Sequence, residues 1–313
     1  VNEEVTIIGT LNSELFLSGI DRLPEWGKQV HAKGIRRVAA GSGPRVAFPL
    51  ALLGTGSYLV GKVGRDEYGQ EILKSLKDHG ISSGGIEIAD TSETGMCVIL
   101  TRGDGARAFT AFLGSVGETD EQLIMNHFDL IKKTRYMLIT GYFNLPGIDF
   151  GGWKRLLDRA CSEEKHILLD TGWDVGNWSD ATKGEILQLL PMVTTFLPNR
   201  EEAGALSEKS EPEYMIRFFL DAGAREVIIK LDRDGSIGYS PEEGIVEKKP
   251  LDVNVYDTTA AGEAFNAGIL LGLINKWSLE KRLACGNALA GLFISSPDGT
   301  YPSLKELEQH MEE

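Results

Sequence analysis

Asp257-Thr258-Thr259-Ala260-Ala261-Gly262-Glu263-Ala264-Phe265-Asn266-Ala267-Gly268 follows a strand-like segment and opens a long apolar helix. The small residues Ala260, Ala261 and Gly262 leave backbone N–H groups uncovered where that helix begins. Such groups at a helix N-terminus form a positive hole for an anion. Beside a transferring phosphoryl group, the hole stabilises the charge that develops there. Glu263 falls in the first turn, where its carboxylate can take the proton of an attacking hydroxyl. The same pattern also describes an ordinary helix start whose acidic residue complements the dipole. Spacing alone leaves the two readings level.

Upstream of this segment, short apolar runs predict strands over 5–9, 58–62, 136–140, 166–170, 193–197 and 226–231. Helical patterns alternate with them over 45–53, 66–79, 152–160, 183–190, 200–206 and 213–222. This alternation predicts a doubly wound α/β fold, a mostly parallel sheet flanked by helices on both faces. The last third is mainly helical, over 261–274, 279–295 and 304–312. No internal repeat or low-complexity tract divides the chain, and 1–313 is expected to form a single domain.

Two stretches, 14–38 and 95–112, break the alternation and read as short strands and turns. In the second, Met96-Cys97-Val98-Ile99-Leu100 leads through Arg102-Gly103-Asp104-Gly105 into 109–112, a hairpin signature. Together they are expected to form a small β-sheet standing off the body, as a lid or a surface through which two copies pair.

The composition narrows the function. A formal net charge of -14 argues against a non-specific nucleic-acid binder, though a local cluster of Lys, Arg and helix N-termini can still hold an anionic ligand. No apolar run approaches the roughly 20 residues of a membrane span. Val1-Asn2-Glu3-Glu4 is acidic, unlike the start of a signal peptide. Cys97, Cys161 and Cys285 are few, odd in number and far apart, which suits reduced thiols in a cytoplasmic protein. The histidines show no metal-ligand spacing.

Gly56-Ser57-Tyr58-Leu59-Val60-Gly61-Lys62 imitates a P-loop. Val63 stands where Ser or Thr should ligate magnesium, the intervening residues are strand-like, and no helix begins just after Lys62. A strand followed by a turn is the expectation. The first strand does not lead into Gly-x-Gly-x-x-Gly, so dinucleotide binding in the Rossmann manner is not expected.

The 257–268 segment resembles the C-terminal signature of the ribokinase/PfkB carbohydrate kinases, Asp-Thr-x-Gly/Ala-Ala-Gly-Asp-x-Phe. Other pieces follow in that family's order. Gly41-Ser42-Gly43 with Leu53-Gly54 resembles the N-terminal signature, and Gly61-Lys62-Val63-Gly64-x-Asp66-x-x-Gly69 the segment after it. Pro198-Asn199-x-x-Glu202 resembles the Asn-x-x-Glu motif, and 287–303 the nucleotide-side C-terminal region. The resemblance implies a ribokinase-like fold with a β-lid, and ATP-dependent transfer of a phosphoryl group to a hydroxyl of a sugar or sugar-like molecule. It implies Glu263 as the base, with Ala260, Ala261 and Gly262 as the anion hole. Asn12, Glu14, Gly41 and Arg45 would hold the substrate. Asn199, Lys230, Asp232, Gly235 and Asn287 would hold ATP. Magnesium would be handled through water by Asn199 and Glu202, whose i and i+3 oxygens share one helix face. A simple N-terminal cap explains that pair as well. In similar kinases a potassium ion sits behind the anion hole, where this chain offers Asp257, Thr259, Gly299 and Ser303.

The chain also departs from that family. Glu263 replaces the usual catalytic Asp, and a misplacement of about 1 Å can cost around a hundredfold in rate. Glu14 replaces a sugar-binding Asp and Arg45 a substrate-binding Asn. Lys230-x-Asp232-x-x-Gly235 replaces Thr-x-Gly-x-x-Gly. A pocket rebuilt for a different substrate would explain this, with Arg45 meeting a carboxylate or phosphate. Arg45 paired with Glu14, holding the pocket in shape, explains it equally. A nucleoside kinase stays open, with Tyr142, Phe143 or Trp173 as stacking surfaces. So does a sugar- or nucleotide-binding regulatory protein of weak catalysis.

Overall fold

Continuous apolar runs mark strands that are buried on both faces, and side chains then alternate between two cores. The structure, a computed structural model describing residues 3–311, follows this rule. In the central strands Ile8, Ile139 and Leu169 point into one core, and Ile7, Leu138 and Leu168 into the other. The helices Phe150–Ser162, Asp180–Leu189, Arg200–Ser207 and Pro212–Asp221 cover the first face. The helices Ser42–Leu52, Glu67–Asp78, Ala261–Ile274, Leu279–Ser295 and Leu304–Met311 cover the second. Residues 1, 2 and 312, on which two of the expectations above touch, lie outside the described residues.

The strands are β1 (Glu3–Ile8), β2 (Asn12–Ile20), β3 (Gly34–Ala40), β4 (Gly56–Val63), β5 (Ser82–Ile88), β6 (Gly95–Arg102), β7 (Arg107–Phe112), β8 (Tyr136–Thr140), β9 (His166–Asp170), β10 (Thr195–Phe196), β11 (Glu226–Lys230), β12 (Ser236–Ser240) and β13 (Gly244–Lys248). Nine of them form the main sheet in the order β13-β12-β11-β10-β9-β8-β1-β4-β5. Its pairs are parallel except β11 with β12 and β12 with β13. A second, mixed sheet has the order β3-β2-β6-β7. It unites the two stretches that broke the alternation, as expected. The hairpin between β6 and β7 turns where its Gly-Asp-Gly sequence stands, and the Asp104 carboxylate meets the Arg102 guanidinium.

Several boundaries differ from expectation. The helix expected over 45–53 begins at Ser42, because the Thr10 hydroxyl accepts from Ser42 N at 2.9 Å and starts it early. The run 193–197 makes only the two-residue β10, since Val193 and Leu197 serve packing rather than pairing. The P-loop imitation is β4, a strand as expected. β5, with Ser82-Ser83-Gly84-Gly85, and the β12–β13 hairpin escaped the strand patterns. Pairing to β4 and β11 outweighs their weak local preference.

Two helices place the site. Ala261–Ile274 and Leu279–Ser295 approach so closely that a Cβ on Gly268 would lie 2.7 Å from Gly286 Cα. Their pairing fixes the N-terminus of the first at the carboxyl ends of the parallel strands, where open α/β sheets hold their ligands.

Candidate active site

The helix Ala261–Ile274 starts from a strained turn. Asp257 Oδ1 accepts from Thr259 N at 2.9 Å, and Ala260 adopts φ +65° before the helix begins. A left-handed alanine costs about 1–2 kcal/mol, and such strain collects at functional sites. Among the described residues, the N–H groups of Gly262 and Glu263 have no backbone acceptor. Of the implied set Ala260, Ala261 and Gly262, the Ala261 N–H is taken by the Thr258 carbonyl at 3.2 Å, and Gly262 keeps an open donor; the Glu263 N–H is met by its own carboxylate.

In front of this turn lies a cavity of about 300 Å³. Glu263, Ala260 and Thr259 line one side of it, and Thr10, Asn12, Glu14 and Ser42 another. Strands β6 and β7 of the second sheet supply most of the rest, with Leu113, Val116 and Asn144, so that sheet stands over the cavity as a lid. Burial, and then the Asp170 carboxylate, push the Glu263 carboxyl up from its ordinary value; its own backbone N–H and then the Lys230 ammonium oppose them. A carboxylate tuned upward is a better proton acceptor near neutral pH.

Glu14 and Arg45 form a buried ion pair. Glu14 Oε1 also accepts from Gly41 N at 3.3 Å. Gly41 has φ +104°, and a Cβ there would lie 2.3 Å from Thr10 O, so only glycine fits. Burial alone would lower the Arg45 guanidinium's pKa, but Glu14, Tyr301 and Glu263 outweigh it. Arg45 points to Glu14 and does not line the cavity; of the two readings, the pocket-shaping pair is the one found.

Behind Glu263 lies a second charged group. Lys230 Nζ sits 2.8 Å from Asp170 Oδ2, and the same oxygen accepts from the Asn266 amide. Burial would lower the Lys230 pKa, yet Asp170 and Glu202 hold it above its ordinary value. A Cβ on Gly262 would lie 3.7 Å from Lys230 Nζ, so this ammonium faces the anion hole. Asn199 and Glu202 make a full capping box: Glu202 N donates to Asn199 Oδ1 at 2.8 Å, and Asn199 N to Glu202 Oε2 at 2.9 Å. Burial, then Asp170, raise Glu202. Glu202, Asp170 and Glu263 thus face one ammonium. Both Glu202 oxygens and Asn199 Oδ1 are engaged in the capping box, which leaves this pair to meet a metal only through water.

The other implied residues divide. Asp232 takes φ +54°, the left-handed conformation that Asp tolerates where the family has glycine, and it leads to Gly235 at φ +93°. Asn287 donates to the carbonyls of Lys248 and Lys249, at 3.1 and 2.9 Å, and so ties its helix to the end of β13. The potassium set does not fit. Asp257 Oδ2 faces the Arg36 guanidinium at 3.4 Å, Thr259 Oγ1 accepts from Arg107 at 3.3 Å, and Ser303 Oγ donates to Glu306 at 2.6 Å.

A family model for the pfkB family carbohydrate kinases matches residues 3–306. The chain belongs to the pfkB family of carbohydrate kinases. This kinase is 26% identical over 295 residues to the ATP-dependent 6-phosphofructokinase of Thermoanaerobacterium thermosaccharolyticum, covering 91% of this chain and 90% of that one. It is 26% identical over 312 residues to the ribokinase of Bacillus subtilis, covering 97% and 98%. The ribokinase of Arabidopsis thaliana, solved with ribose and ATP, superposes with a TM-score of 0.82 at 20% identity over the full length of both chains. The kinase's reaction is ATP-dependent phosphoryl transfer to a hydroxyl of a sugar-like molecule.

Sequence reading missed some cavity residues of this kinase. Among the described residues, Arg107 on β7 is the one cationic side chain lining the cavity, and Ser42, Cys97 and Asn144 line it too. Only the fold brings them together. Of the aromatics considered, Tyr142 is buried against Trp153, Phe143 packs on Trp178, and Trp173 meets Trp178 edge-on. None of the three lines the cavity.

Proposed function

We propose that Glu263 is the catalytic base and that the open N-terminal N–H group of its helix stabilises the transferring phosphoryl group. The observation that carries this reading is one turn of backbone that presents an open donor and a raised carboxylate to one cavity. A sugar hydroxyl beside Glu263 loses its proton to the carboxylate as its oxygen attacks the γ-phosphorus; the bond from that phosphorus to the β–γ bridging oxygen breaks, and ADP leaves with the oxygen. Charge growing on the phosphoryl oxygens meets the Gly262 N–H group and the Lys230 ammonium. Lys230 gives up part of its pairing with Asp170 to do so. This is how the lysine at the family's threonine position serves the reaction.

Asn12 and Glu14 provide an amide and a carboxylate for sugar hydroxyls. The cavity's size and mixed lining suit a monosaccharide or its simple derivative. Asn199 and Glu202 would hold magnesium through water, and the ion would there draw charge from the ATP phosphates. Chain 1–313 acts as a single domain, with the β2-β3-β6-β7 sheet as its lid. The exposed Ile35 on that sheet supports pairing of two copies. The free cysteines support a cytoplasmic setting.

Glu263→Gln tests the assignment. ATP should still bind, measured by calorimetry, while phosphoryl transfer is lost. Retained turnover would remove Glu263 as the base.

A further inference from the structure

We propose that Arg36 is the built-in cation of the anion-hole loop, so that this enzyme needs no monovalent metal ion there. The resemblance to potassium-using kinases set an expectation at Asp257, Thr259, Gly299 and Ser303, and their partners contradict it. Asp257 Oδ1 is taken by Thr259 N, and Oδ2 faces Arg36 Nη2 at 3.4 Å. A side chain on Gly299, at φ +65°, would start 3.2 Å from Arg36 Nη1, so the guanidinium reaches across the loop pair.

A small cavity of about 10 Å³ remains between these loops, room for roughly one water. It is lined by Arg36 and Arg45 together with Asp257 and Thr259. Asp257, which lines it, already has its own guanidinium in Arg36, and Arg45 stands beside it with Glu14 as its partner. A further cation would meet two like charges close by.

The Arg36 side chain is 42% exposed, and an exposed pair is weak by itself. Two features hold it. Its guanidinium carbon lies 4.3 Å from the centroid of the Phe16 ring, a cation–π contact. Its strand, β3, also tethers it at an effective concentration of about millimolar or more. Arg107, from the other edge of the lid, donates to Thr259 in the same loop. The lid therefore grips the anion-hole loop with two arginines, and Arg36 is a positioning residue whose charge acts through Asp257.

The test measures melting temperature and turnover in potassium, sodium and tetramethylammonium chloride at one ionic strength. The turnover arm rests on the kinase reading; the melting arm needs no substrate. The wild-type protein should show no potassium-specific, saturable rise in melting temperature, and turnover within about twofold across the three cations. Arg36→Met should lose roughly tenfold in turnover through a displaced loop, and Arg36→Lys should recover most of it. A potassium-specific stabilisation of the wild type would overturn the proposal. So would an Arg36→Met enzyme with normal turnover, or an Arg36→Lys no better than Arg36→Met. An inactive protein with no potassium-specific melting shift would count against the reaction and leave the cation assignment standing.

Discussion

The Tyr301 hydroxyl donates to the carbonyl of Arg45 at 3.0 Å, the place that Pro49 leaves empty in the helix Ser42–Leu52. A proline has no N–H for the carbonyl four residues before it. The tyrosine makes that missing bond from the far end of the chain and fixes the turn that carries Arg45. Tyr301→Phe should therefore destabilise the fold by about 1–2 kcal/mol in urea unfolding. Adding Pro49→Ala should recover much of that loss, because it supplies the N–H. No recovery would mean that the Tyr301 hydroxyl does not stand in for the N–H that Pro49 lacks.

The buried pair of Glu14 and Arg45 gives a second expectation. Arg45→Met alone leaves Glu14 buried without its partner and should cost about 3–5 kcal/mol. Glu14→Gln with Arg45→Met should cost less than that single change. A double variant no more stable than Arg45→Met would show the two residues to be uncoupled.

The pH dependence of turnover follows from Glu263. The base must be ionised, and burial and Asp170 raise its folded pKa. Activity should fall as pH drops through that raised value, so the acid limb of kcat/KM lies above 4.5, the ordinary glutamate value. Asp170→Asn removes the second cause and should move the limb to lower pH. A limb that stays in place would detach it from this carboxylate.

Stability should show a separate pH effect. Burial, and then Arg282, lower the His166 pKa to about 4, from an ordinary 6.5. A depressed histidine resists the proton that the unfolded chain accepts. Its contribution is complete above 6.5 and disappears as pH falls toward 4, a loss of about 2–3 kcal/mol. His166→Gln should flatten the profile between those values. An unchanged slope would place the titration elsewhere.

The central fold was legible because β1, β8, β9 and β11 are apolar runs buried on both faces, a strong local signal. The start of the helix at Ala261 was legible from its small residues. β5 was not, because its serines and glycines take their conformation from pairing with β4. Glu263 and Glu14 could be read from motifs, and the pair of Arg45 with Glu14 stood as one of two open readings; the partners of Lys230 and Arg36 had no such signal. Arg45 to Glu14, Lys230 to Asp170 and Arg36 to Asp257 are 31, 60 and 221 residues apart. Only folding decides such pairs.

The most direct test of the account is ADP release from magnesium ATP across sugars, sugar acids, sugar phosphates and nucleosides, with Glu263→Gln as the control. The account expects release that depends on one sugar-like class and vanishes in Glu263→Gln. Folded, ATP-binding protein with no release on any acceptor, or release that survives Glu263→Gln, would contradict it.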